Sequence, residues 1–181
     1  MPWIIPGTVL ETQREMDTGE SVLRTLFLGG DITLSQVSAI TGLEPHTVQN
    51  WVKRGFLPPT VGKKYSLNHL CRILNLHMLR GVLTLEQACR LIDCAKGTGE
   101  NAHADEDLYF LFVTLSTRAR QLARPEACDR ILQEMLRDYT EATPGEKDLL
   151  VQALKVMLTA YLSANLRLAA EQQFSQLFEK A

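Results

Sequence analysis

The chain has 181 residues, of which 45% are hydrophobic and 22% charged, with a formal net charge of −2. That is room for one domain, or for two small ones sharing a core, and it excludes a polycation. No apolar run approaches the roughly 20 residues that span a bilayer, and the opening "MPWIIPGTVLETQRE" lacks the basic flank of a signal peptide, so a cytoplasmic location is expected.

The first expected helix lies near 18–28 and stops at Gly29-Gly30. Thr33 precedes "LSQV" with Gln36 three residues on, a capping box that opens a helix over 33–40. Pro45, a residue favoured at the first helical position, opens a second over 45–54. The segment "GFLPPTVGKKY" (55–65) interrupts the helical pattern with two prolines, a glycine and two lysines, and suits a small hairpin or loop. Ser66 and Thr84 open helices over 66–80 and 84–94, the latter with Gln87 three residues on. "AKGTGENAHADED" (95–107) is rich in small and polar residues and reads as a linker.

Beyond it, Leu108, Phe112, Leu115, Ala119 and Leu122 recur at helical spacing within 105–123, and Cys128, Ile131, Leu132, Met135 and Tyr139 within 125–139. The last helix, 145–178, starts after Thr143-Pro144, with Glu146 three residues past the threonine. Leu150, Leu154, Met157, Tyr161, Ala164 and Leu168 form one stripe, and Leu149, Ala153, Val156 and Ala160 form a second beside it. So wide an apolar face serves a three-helix core, or a core on one side and a second copy on the other.

These signals predict an all-α protein in four parts: an N-terminal arm and short helix (1–30), a unit of short helices interrupted by a hairpin or loop (31–94), a linker (95–107) and a helical C-terminal domain (108–181). Charge follows the same division. Residues 31–92 hold seven Lys/Arg against three Asp/Glu, a net +4, whereas 1–30 carry −2 and 93–181 carry −4. A basic segment between acidic ones suits a nucleic-acid-binding module with a separate partner domain.

"TLSQVSAITGLEPHTVQNWVKRGFLPP" (33–59) carries the chemistry. On a helix over 45–54, Val48, Trp51 and Val52 share one face, which suits packing on Val37 and Ile40. The opposite face presents His46, Gln49, Asn50 and Lys53, with no acid after Glu44. Asn and Gln pair bidentately with the N6/N7 edge of adenine, and Lys reaches guanine or phosphate. Thr47 sits at the helix start, where backbone N–H groups favour phosphate. Arg54 suits phosphate or an acidic partner, and Lys63, Lys64 and Tyr65 suit phosphate contacts that orient a module without reading bases. "ITGLEP", with Gly42 at a left-handed cap, has helix-turn-helix spacing.

The run from "LSQVSAITGLEPHTVQNWVKRGFLPP" through "KKYSLNHLCRILNLHMLRGVLTLEQACRLI" resembles the MerR-type winged helix-turn-helix over about residues 31–94. The features that carry the likeness are the turn glycine, the exit Gly55-Phe56-Leu57-Pro58, the wing end Tyr65 and the phrase Gly81-Val82-Leu83-Thr84-Leu85-Glu86-Gln87-Ala88. The "QNWVKRG" form is similar to the YkrK-like family of Gram-positive bacterial proteins, a domain of unknown function. The resemblance implies a sequence-specific, dimeric, DNA-binding transcriptional regulator. Its partners would be double-stranded DNA, a second copy of the chain and a small-molecule effector of unknown identity, and no membrane. The chain departs from the family where Gln49 replaces the recognition-helix arginine, Asn50-Trp51 replace paired aromatics, and Lys63-Lys64 replace an arginine-rich wing.

Other classes find less support. Cys71, Cys89, Cys94 and Cys128 form no C-x-x-C pair, and three fall within apolar helical patterns as expected of reduced, mostly buried thiols. No metal-sensor cysteine pattern, H-E-x-x-H, G-x-S-x-G, P-loop or dinucleotide fingerprint occurs, so neither metal, cofactor nor catalysis is expected. "GTGENAHADED" fails the calcium-loop pattern. A zinc set of Cys71, His77 and Cys89 is the nearest metal alternative. Tyr109, Phe110, Phe112, Tyr139 and Tyr161 are candidates to line an effector pocket, or to fill a core. A helix-turn-helix that docks on protein instead of DNA is the other rival.

Overall fold

The computed structural model describes residues 3–12, 19–97, 103–121 and 127–178. Among them the chain is mostly helical, with four strands of two residues each. Strands β1 (Trp3–Ile4) and β2 (Glu11–Thr12) form an antiparallel hairpin. Helix α1 (Glu20–Leu26) leads into β3 (Ile32–Thr33), α2 (Leu34–Thr41) and α3 (Pro45–Lys53). Then come β4 (Lys64–Tyr65), α4 (Leu67–Leu79), α5 (Leu85–Lys96), α6 (Asp105–Gln121), α7 (Ala127–Met135) and α8 (Glu146–Phe178).

Local chemistry sets most helix starts. The Thr33 side chain accepts from the Gln36 N–H at 3.3 Å while Gln36 Oε1 accepts from the Thr33 N–H at 2.8 Å. Thr84 and Gln87 repeat the box ahead of α5. Ahead of α4 the box is Ser66 with His69, whose Nδ1 lies 2.7 Å from Ser66 Oγ. Each such cap contributes about 1 kcal/mol, because it satisfies backbone donors that a helix start leaves free. At α8, Glu146 Oε2 accepts from the N–H groups of Ala142 and Thr143.

Strands were nearly absent from the sequence signal, and their partners explain why. The 55–65 segment contributes β4, which pairs with β3 ahead of α2 in the register Ile32↔Tyr65 and Thr33↔Lys64. A bridge Val61↔Lys64 closes its tip over Gly62 and Lys63, both at φ 58. Two positive φ values in succession are what a two-residue hairpin turn requires. The β1–β2 hairpin was not expected at all. Helix α7 stops at Met135, short of the expected 139. Leu122, residues 125–126 and the middle of the expected linker (98–102) lie outside the described residues.

One hydrophobic cluster runs through the molecule. Helix α4 lies at its centre, with Leu70, Cys71, Ile73, Leu74, Leu76 and Leu79 at 0% exposure. It packs on α5, α6 and α8, and α5 packs on α8. The two sides of 95–107 therefore differ in charge but share a core. Tyr109 and Phe112 are fully buried in that core and Phe110 nearly so.

Helix α8 divides in two. Leu150, Ala153, Leu154, Met157, Leu158, Ala160 and Tyr161 are buried. Leu149 and Val156 of the second stripe face outward, as do Leu162, Leu166, Leu168 and Phe174 farther along. By length and composition α8 is apolar enough to cross a membrane, a test that the core helix of a soluble protein also passes. Small and hydroxyl side chains interleave its leucines, so no continuous run reveals it.

Candidate nucleic-acid interface

The α2–α3 pair is built around a three-residue turn. Gly42 sits at φ 70 and its N–H donates to the Ser38 carbonyl at 2.8 Å. The left-handed conformation costs glycine little and lets the chain leave α2 sharply. Thr41 is buried, and its hydroxyl accepts from the Leu43 N–H at 3.1 Å, fixing the turn from inside. Pro45 then starts α3. Val48 (0%) and Trp51 (3%) are buried with Val37 and Ile40, as the spacing implied.

That packing decides what α3 shows to solvent. His46, Gln49, Asn50 and Lys53 are all exposed, and Thr47 is half-buried in the first turn. Among the described residues none of the four exposed side chains makes a salt bridge or a side-chain hydrogen bond, and no large apolar side chain is exposed on α3. Amides and a cation left without internal partners are free to meet an external hydrogen-bonding edge. The Glu44 side chain makes no capping bond at the helix start.

The remaining expected contacts divide. Lys63 and Lys64 are exposed on the β4 ribbon, with Val61 exposed beside them at its tip. Lys63 takes φ 58, a left-handed conformation that a non-glycine residue adopts only under constraint. Arg54 is already engaged: its guanidinium pairs with Glu86 of α5 at 2.9 Å and stacks 4.6 Å from the Phe56 ring centroid. A phosphate at Arg54 has to compete with that carboxylate.

Tyr65 corrects the expectation of a surface phosphate donor. It is 5% exposed, and burial raises its phenol pKa. Strand alternation gives the reason: Lys64 points outward, so Tyr65 points into the core, edge-on to His69 at 6.1 Å.

Arg72 is the residue whose importance the sequence did not show. Its Nε donates to the Phe56 carbonyl at 2.8 Å, just past α3. Its Nη1 reaches Asp93 of α5 at 2.9 Å and Asp105 of α6 at 3.2 Å, and Lys96 reaches Asp105 at 2.8 Å. Burial opposes the Arg72 charge, but the Asp93 hydrogen bond and the fields of Asp105 and Asp93 outweigh it and raise the guanidinium pKa. Arg72 thus ties the exit of α3 to three later elements. An arginine on the apolar helix "LNHLCRILNLHML" carried that signal only as an anomaly.

Among the described residues no three His, Cys, Asp or Glu side chains gather as metal ligands. His77 Nδ1 lies 3.2 Å from the Gly7 carbonyl, and Cys71 is buried with its thiol pKa pushed up by desolvation. Of the aromatics considered for a ligand pocket, Tyr139 borders a cavity of about 430 Å³ with His103, and Tyr161 borders another.

A family model described as a domain of unknown function (DUF1836) matches residues 31–112. The match spans β3 through the first half of α6, and so includes α3, the β4 ribbon, Arg72 and both of its carboxylate partners. No curated protein and no solved structure matches the chain.

Proposed function

We propose that the protein is a sequence-specific, DNA-binding transcriptional regulator with a MerR-like winged helix-turn-helix, acting as a cytoplasmic homodimer without catalytic activity. The observation that carries the reading is the outer face of α3, where His46, Gln49, Asn50 and Lys53 are exposed together while Val48 and Trp51 anchor the helix from behind. A helix held this way can lie in a major groove and offer amides to adenine edges. Thr47, Lys63 and Lys64 would take phosphate, with Arg54 joining if it leaves Glu86. Support for a homodimer comes from the outward apolar side chains of α8, Leu162 and Leu166, because a second copy would cover them and double the DNA contacts.

Selection from randomised duplex DNA, read by sequencing at two salt concentrations, tests the proposal. The expected outcome is a near-palindromic motif. Gln49→Ala or Asn50→Ala should relax preference at one base by about 1–3 kcal/mol. Lys63→Ala should weaken binding to every sequence and flatten the salt slope. No enrichment, with little retention even at low salt, would sink the DNA reading in favour of a protein-docking module.

A further inference from the structure

A second concave surface is enclosed by the β1–β2 hairpin, the C-terminal end of α4 and the outer half of α8. Its volume is about 430 Å³, within the range of small-molecule sites. No residue of α3 lines it, and among the described residues no Asp or Glu does. Two arginines do, Arg80 and Arg167, together with Asn165.

Arg80 is exposed at the rim of the cleft and has no carboxylate partner among the described residues, and partial burial lowers its pKa. Arg167 has only a long, exposed contact with Glu171 at 3.7 Å. Its Nη2 lies 3.7 Å from where a Cβ on Gly81 would sit, which brings the second guanidinium beside the residue that follows Arg80. His77 adds no charge at neutral pH. Burial and the Arg80 field hold its pKa down to about 4, and its Nδ1–H donates to the Gly7 carbonyl. The other walls are apolar: Ile5, Val9, Met78, Ala164 and Leu168.

We propose that this cleft binds a small amphipathic anion, an acid group held between Arg80 and Arg167 with its apolar body against Met78, Val9 and Leu168. A partly desolvated guanidinium without a counter-ion gains from an anion that supplies one, and a forked donor suits a carboxylate or phosphate monoester. The apolar walls select an acid with a tail over a bare ion. The site also touches α2: Thr41 lines the cleft, and the Val9 N–H donates to the Ile40 carbonyl at 2.9 Å. Binding here does not require that α3 contact DNA.

Calorimetric titration of the full chain tests this with four probes: octanoate, octyl phosphate, octanol and inorganic phosphate. Octanoate or octyl phosphate should bind saturably at one site per chain, and whichever does so identifies the acid group. Arg80→Gln and Arg167→Gln should each weaken that binding about tenfold or more, while Arg137→Gln, on the exposed face after α7, leaves it unchanged. The Arg167 side chain is 58% exposed, so its variant keeps the fold and separates lost binding from lost structure. The proposal is overturned if neither amphiphile saturates, if octanol binds as well as the acids, if inorganic phosphate matches octyl phosphate, or if both arginine variants keep full affinity.

Discussion

Arg72 and Lys53 carry the same charge in the same basic segment, and the structure uses them in opposite ways. Arg72 is 9% exposed and bound by a carbonyl and two carboxylates, whereas Lys53 is exposed and makes no ion pair among the described residues. Of the seven basic residues in 31–92, Arg72 and Arg54 are paired with acids, whereas Lys53, Lys63, Lys64, Arg80 and Arg90 make no ion pair among the described residues. A charge count therefore overstates the surface available to an anion. What matters is where each cation's counter-charge already lies.

That contrast breaks first at Arg72. Arg72→Ala leaves Asp105, 2% exposed, with Lys96 as its one cation among the described residues and frees the Phe56 carbonyl, so urea denaturation should show a loss of about 3 kcal/mol or more. Lys53→Ala, at an exposed position, should stay within about 0.5 kcal/mol. Equal losses would mean that the buried network is not what holds the α3 exit.

His77 gives the next largest effect, as a buried base kept neutral. Its folded pKa, about 4, lies below the ordinary histidine value, so the unfolded chain binds the extra proton first as pH falls. Its contribution is complete above about pH 6.5 and is lost as the pH drops toward the folded value, by up to about 3 kcal/mol. His77→Gln should flatten the stability–pH curve in that window, as read by thermal melts between neutral and acid pH.

Lys63 sharpens the comparison from the exposed side. Lys63→Gly removes both a charge and a left-handed non-glycine residue. Stability should rise by about 1 kcal/mol, while DNA affinity falls for every sequence. A fall in both would show that the lysine supports the ribbon instead of the ligand. The smallest effect belongs to the Arg54–Glu86 pair, whose side chains are 56% and 60% exposed. A double-mutant cycle should give under about 1 kcal/mol.

The sequence by itself determined the helices and the outer face of α3. Thr33 with Gln36, Thr84 with Gln87, Pro45 and Gly42 act within one turn of the chain, so their effect can be read from neighbours alone. The spacing of Val48, Trp51 and Val52 likewise fixed which way Gln49 and Asn50 point, because a helix has one period. The tertiary structure decided the rest. Tyr65 went inward because its strand pairs with Ile32, far back along the chain. Arg72 became a hub because α5 and α6 deliver Asp93 and Asp105 to it, and Arg80 faces a cleft because α8 returns beside Gly81. A cation in a sequence looks the same whether its partner waits elsewhere in the fold or outside it, and only packing brings the distant carboxylate near or leaves it away.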